Sequence, residues 1–317
     1  MMKLKEIYEL VVNMGKEADP RGNRLEQVLK SKSKEFNDLK EEDKKYFDQD
    51  KLFNPYADTR ILYGKEESVV KTVLAGIDVE TAEILLADRL TEKGTKIDLV
   101  LSHHPEGKAL AGLHEVMELQ EEILYDLGVP INVAQGILAS RISEVQRGLM
   151  PLNHNRGVDT AKILDIPLMC AHTPADNQVQ YFLEKLFLDK DPEYLGDIIK
   201  LLKEIPEYEE AIYLGAGPKI IGGTEKRKTG KVIVDMTGGT SGSENTYEKL
   251  SAAGIGTIVG MHMGEKHRKA AEKNHINVII AGHIASDSLG MNLILDKLED
   301  KGLNIIPCSG IIRVKRR

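Results

Sequence analysis

The sequence predicts an α/β protein whose sheets are parallel or mixed and carry helices against their faces. Two observations point there. From about Pro55 onward, short apolar runs alternate with amphipathic stretches, the pattern of strands joined by helices. Polar clusters rich in His, Asp or Gly then follow the carboxyl ends of four of those runs, where open α/β sheets bind ligands. A length of 317 residues, at roughly 150 residues per domain, adds room for about two domains.

The elements follow in order. Leu4, Ile7, Leu10, Val11 and Met14 recur at helical spacing in residues 3–18, and the segment to about Lys51 is dominated by Lys, Glu and Asp. Residues 1–51 therefore read as a helical, surface-lying extension, a solvated packing arm. Strands are expected at Val69 to Ile77, Ile97 to Ser102, Pro130 to Ala134, Ile166 to Ala171, Val232 to Met236, Thr257 to Val259 and Val278 to Ala281. Helices are expected between them at Val79 to Lys93, Leu113 to Leu127, Gln178 to Phe187, Asn245 to Ala253 and Glu265 to Asn274. The Lys- and Glu-rich stretch 190–229, with its turns GAGPK and IGGTEKRKTGK, reads as a connection between an α/β half at 52–189 and another at 230–317.

Composition narrows the function classes. Lys+Arg 43 against Asp+Glu 50 gives a net charge of −7, so the global positive field of a non-specific nucleic-acid binder is missing and no nucleic-acid partner is expected. Hydrophobic residues at 41% and charged ones at 29% place the chain among folded globular proteins. The N-terminal MMKLKEIYELVVNMGKEADP has no apolar core of a signal peptide, and no run reaches the roughly 18 apolar residues of a membrane span. Cys170 and Cys308 each lie in an apolar run and read as reduced, buried thiols. The expected setting is cytoplasmic, with no membrane contact.

The chemistry sits after the strands. IDLVLS runs into His103-His104-Pro105, IPLMCA into His172-Thr173-Pro174-Ala175-Asp176, VIVDM into Thr237-Gly238-Gly239-Thr240-Ser241-Gly242-Ser243, and VIIAG into His283-Ile284-Ala285-Ser286-Asp287. Imidazole with carboxylate suits zinc, iron, manganese or cobalt, and without thiolates a closed structural zinc site is disfavoured. Past its strand the His-His-Pro backbone is free to turn both rings to one cleft, and adjacent imidazoles then serve two ions, with a carboxylate such as Asp176 between them. Helix capping by Asp176 and Asp287 and a non-liganding His103-His104 pair are the alternatives. His114 with Glu118 reads as a solvated helix pair, and His154, His267 and His275 carry no role. His262, after TIVG, is intermediate. TGGTSGSE offers open backbone N–H groups and a helix start at Ser243, suited to a phosphate or carboxylate, but is not a Walker A loop. A ligand-free turn is the alternative.

With these residues assembled, the chain resembles the Nif-three-like family of dinuclear-metal-centre proteins, also grouped as type 2 homologues of GTP cyclohydrolase 1. The likeness rests on NPYADTRILYG, VKTVLAGIDVETAEI and IDLVLSHHP in the N-terminal half, and on VIVDMTGGTSGSENTYEKLSAAGIGTIVG and INVIIAGHIASD in the C-terminal half. With His-Thr-x-x-Asp, it covers about half the chain. It implies two similar α/β halves with mixed sheets sharing a metal-binding cleft, and a hexamer-like homo-oligomer. It implies two divalent transition-metal ions, zinc, iron or manganese, held by His103, His104, Asp176, His283 and Asp287. His172, Thr237, Gly238, Gly239 and His262 are then expected to contact substrate. The family usually has Glu where this chain has Asp287, Asn-Leu in place of Pro174-Ala175, and a shorter interval than the 68 positions from His104 to His172. Two functions follow: a metal-dependent hydrolase of a phosphorylated or nucleotide-like small molecule, or a non-catalytic metal-binding, assembly or regulatory protein.

Overall fold

The computed structural model describes residues 1–316. Nine strands form two sheets: β1 (Arg60–Tyr63), β2 (Thr72–Gly76), β3 (Leu99–Ser102), β4 (Leu168–Cys170), β5 (Lys219–Gly222), β6 (Lys231–Asp235), β7 (Ile255–Gly260), β8 (Asn277–Ile280) and β9 (Asn304–Pro307). The first sheet has the order β9-β2-β3-β4-β1, the second β5-β8-β7-β6. In each, three consecutive strands run parallel and an antiparallel strand closes one edge, β1 on β4 and β5 on β8. The two halves are thus alike, as expected of a mixed α/β fold. The hydrophobic runs of β2 and β3, buried on both faces, are those of a parallel sheet covered on each side.

Three helices carry the argument: α1 (Leu4–Glu17), α2 (Thr173–Lys190) and α3 (His283–Asp300). α2 follows β4, and α3 follows β8, so the two long helices hold equivalent places in the two halves. They cross where Gly290 of α3 meets Ala175 of α2, so closely that a Cβ at Gly290 would lie 2.2 Å from the Ala175 carbonyl oxygen. Only glycine fits there.

The structure corrects the sequence reading in four places. The N-terminal segment is no solvated arm at its start: Leu4, Ile7 and Val11 are fully buried in the main core with Val73, Leu101 and Leu295, although Leu25–Asp38 beyond buries only Leu25. Pro130 to Ala134 is not a strand. Pro130 precedes a helix, Ile131–Leu149, whose Ala134 and Leu138 face a core, and five apolar-leaning residues could not distinguish the two periods. The stretch 190–229 is no mere connection: it holds two helices and β5, and Leu195, Ile198, Leu202 and Tyr208 build the second core. Finally, β9 leaves the C-terminal half and pairs parallel with β2, Asn304 opposite Thr72. No described helix is long and apolar enough to cross a membrane.

Replacing Ile7 by Ala should cost about 2–5 kcal/mol of stability, whereas Gln27→Ala on the exposed neighbouring helix should stay within about 0.5 kcal/mol. Denaturant unfolding midpoints of the two variants check the difference. Equal effects would mean that α1 is not part of the core.

Candidate metal centre

The ends of β3, β4 and β8 converge. Past β3, the His103 and His104 N–H groups continue to bond, to the carbonyls of Gly76 and Ile77 at 2.9 and 3.0 Å. Their rings nevertheless lie on one side, centroids 5.1 Å apart. His172 is the residue before α2, with its N–H held by Thr59 Oγ1 at 3.1 Å, and Asp176 lies four residues on. His283 opens α3, and Asp287 again lies four residues on, one helical turn inward. Gly282 makes that turn at φ 121°, and a Cβ there would meet the Ala216 carbonyl at 2.7 Å. The same pattern, a strand followed by His-x-x-x-Asp opening a helix, thus occurs once in each half.

The helix crossing brings these two openings together with His103 and His104. Asp287 lies at the centre: its Oδ1 is 3.5 Å from His103 Nε2, and its Oδ2 is 3.6 Å from His104 Nε2 and 3.5 Å from His283 Nε2. Asp176 Oδ1 is also 3.5 Å from His103 Nε2, and its Oδ2 is 3.8 Å from His172 Nε2. Neither carboxylate caps a helix, since both lie inside the first turns, beyond His172 and Gly282. Asp176 Oδ1 and both oxygens of Asp287 are buried with no hydrogen-bond partner. Unpartnered buried carboxylate oxygens are costly.

The donor set resolves that cost. Two donors bound at about 2.0–2.1 Å to one tetrahedral ion lie about 3.4 Å apart, close to the 3.5–3.6 Å between these nitrogens and oxygens. The groups His103, Asp176, Asp287 and His104, His283, Asp287 each could hold a metal ion, as could His103, His104, His172. Behind them, each ring that points Nε2 inward has its Nδ1 engaged on the far side in three of four cases: His103 with the Ala171 carbonyl (3.1 Å), His104 with Asp78 (2.7 Å) and His172 with Asp58 (2.8 Å). Such partners fix ring orientation and leave the inner nitrogen for a ligand. Thr173 Oγ1 donates to Asp58 at 2.6 Å, and the Cys170 thiol donates to the Asp58 carbonyl.

Charge follows the same plan. Against the burial that would raise it, three imidazoles hold the Asp287 carboxyl well below the usual range. Burial carries Asp176 up to about 6 despite His172 and His103. His172 overcomes burial, and the carboxylates of Asp176 and Asp58 raise it to about 9. Burial lowers His283, and burial pushes the Cys170 thiol up to about 12, a protonated residue outside the ligand set.

The remaining expected residues fall nearby in different roles. His262 stacks edge-on against His283, ring centroids 4.9 Å apart. Thr237 turns its hydroxyl away, donating to Asn177 Oδ1 at 2.6 Å. Gly239 lines a cavity that runs from His172, Asp176, His283 and Asp287 towards the second sheet, while the Gly238 carbonyl accepts from Gln120 Nε2 at 2.7 Å. The helix after this loop is Thr246–Ala252, so Ser243 does not open it. The sequence reading missed Asp58, which precedes a strand and so gave no signal. It also missed Asp78, two residues past β2, which the strand-end rule would have found.

No protein-family model and no curated protein matches the chain. Among solved structures it is similar to a NIF3 superfamily protein from Sphaerobacter thermophilus, at 26% identity and a TM-score of 0.70, over 82% of this chain and 93% of that one. It is also similar in fold to reduced HcgD from Methanocaldococcus jannaschii, at 15% identity and a TM-score of 0.50, over 78% and 87% of the two chains.

In chelator-treated protein, a His172 pKa raised to about 9 gives stability that is present below the unfolded value of about 6.5 and lost as pH rises towards 9. The melting temperature of the metal-free protein should therefore fall across that window, and His172→Gln should flatten the fall. A slope unchanged by His172→Gln would mean that the Asp58–His172–Asp176 arrangement does not hold a proton.

Proposed function

We propose, from the similarity to a NIF3 superfamily protein at 26% identity, that the His/Asp cluster holds two divalent transition-metal ions and that the protein is a metal-dependent hydrolase of a phosphorylated or nucleotide-like small molecule. The observation that carries the reading is the set of three unpartnered buried oxygens on Asp176 and Asp287, ringed by imidazole nitrogens at 3.5–3.6 Å. His103, Asp176 and Asp287 Oδ1 would hold one ion, and His104, His283 and Asp287 Oδ2 the other. Asp287, rather than Asp176, is then the shared carboxylate. When bound, such a pair supplies Lewis acidity to a phosphoryl or carbonyl oxygen.

The protein's own groups do the rest. His172, its Nδ1 engaged by Asp58 at 2.8 Å, turns Nε2 to the cavity wall, where it is placed to give a proton to a leaving oxygen. A metal store or assembly element has no need of such a cavity beside its ligands, and this favours the hydrolase. A homo-oligomer is the expected working form, with the neighbouring exposed side chains Tyr213 and Leu214 as candidates for its contact.

Elemental analysis should find about two transition-metal ions per chain, and Asp287→Ala should lower that to one or fewer. No metal after reconstitution would end the reading. Asp58→Asn, which frees the His172 ring, should lower activity by about 10- to 100-fold with metal content intact. On whichever phosphoester a screen identifies, His172→Gln should reduce kcat by about 10²- to 10⁴-fold with metal content intact. A loss of metal in that variant would instead make His172 a ligand.

A further inference from the structure

Of the four polar clusters that follow strands, the Gly-rich loop after β6 contributes no side chain to the His/Asp cluster. Its backbone is arranged nonetheless. Gln120 Nε2 donates to the carbonyls of Gly238 and Thr240 at 2.7 and 2.6 Å, and Arg141 Nε donates to that of Ser241 at 3.0 Å. Gly238 and Gly239 permit this turn at φ 105° and 82°, in the left-handed region that glycine enters freely. Three carbonyls of one short loop are thus drawn onto two side chains.

In a trans peptide the carbonyl of one residue and the N–H of the next point opposite ways across one plane. The N–H groups of Gly239, Ser241 and Gly242 therefore face away from Gln120 and Arg141. None of the three bonds to any described residue, and all three residues line the cavity that also opens on His172, Asp176, His283 and Asp287. A run of free backbone N–H groups in a turn is an anion-binding concavity. The walls offer an anion little else, because the described residues lining the cavity include the carboxylates of Asp176, Asp235 and Asp287 and no lysine or arginine. Arg141 itself pairs with Glu144 at 2.9 Å, so it positions the loop and brings little net charge.

We propose that the loop is an oxyanion cradle, in which the N–H groups of Gly239, Ser241 and Gly242 bind the phosphoryl oxygens of a ligand and Gln120 is the residue that positions them. Three donors on one loop match the three terminal oxygens of a phosphate monoester, where a carboxylate offers two. Bonds from backbone N–H groups to an anion are charge-assisted, and they order no long side chain. The inference deepens the hydrolase reading, which supplies the purpose of the cradle. The cradle itself needs no metal.

The test is an NMR titration of the chelator-treated full chain, isotope-labelled at glycine nitrogen, with inorganic phosphate and, for comparison, with acetate. The amide signals of Gly239 and Gly242 should shift and saturate at about 1–10 mM phosphate, and acetate should need about 10-fold more. Gln120→Met, close in size and without an N–H donor, releases two carbonyls and should weaken phosphate binding by about 10-fold. Arg141→Met, which releases the Ser241 carbonyl alone, should weaken it less. Both variants, once reconstituted, should hold as much metal as the unaltered chain. Signals that phosphate leaves unmoved, that acetate moves as readily, or that respond alike in Gln120→Met overturn the cradle. The unaltered chain decides the first two of these whether or not a variant folds. If the chain holds metal and the loop signals ignore phosphate, the cradle fails and the hydrolase reading stands. If it holds no metal and phosphate still moves them, the hydrolase reading fails and the cradle stands.

Discussion

The contact between Gly290 and the Ala175 carbonyl is the constraint on which the rest depends. Any larger residue at Gly290 would push α3 off α2, and the openings of the two helices would part. Asp176 and Asp287 would then no longer face the same imidazoles. Each half contributes only part of a cluster, a His and an Asp one turn apart, and His103 and His104 complete it from the neighbouring strand of the first sheet. The site is thus a property of the interface between halves, and it is as exact as that helix crossing.

Burying two carboxylates there is expensive, and the surrounding layer shows how the expense is contained. His103, His104 and His172 are each turned inward by an acceptor behind the ring, the Ala171 carbonyl, Asp78 and Asp58. Around Asp287 the imidazoles favour the charged form, whereas at Asp176 burial prevails, so two acids of one cluster differ in their proton affinity. The long interval between His104 and His172 is spent on helices, among them Glu118–Asp126 and Ile131–Leu149, that cover the second sheet and pin the Gly-rich loop through Gln120 and Arg141. That loop owes its glycines partly to this clamp: a Cβ at Gly242 would strike the Gln120 amide at 2.4 Å.

Most of the parallel strands and the polar clusters after them were legible in the sequence, because apolar runs bounded by turns and followed by His or Asp carry their own periodicity and punctuation. What was not legible depended on partners distant in the chain. α1 looks amphipathic and charged when read alone, and only Ile294, Leu295 and Leu298 of α3 and the first sheet show why Leu4, Ile7 and Val11 are apolar. The edge strands β1, β5 and β9 were missed because RILY, KIIG and NIIP are short and half-exposed.

The return of β9 to the first sheet bears on how the chain is made. β9 lies beside Thr72, and Met2–Lys3 pairs with Val69–Val70 on the preceding residues, so segments far apart in the sequence flank one short stretch. During synthesis from the N-terminus, the first sheet keeps β2 as an open edge until more than two hundred further residues have been added. That edge, formed by the apolar run TVLAG, is a template for strand addition by any other nascent chain in the interim. Completion of the earlier half thus waits on translation of the later one.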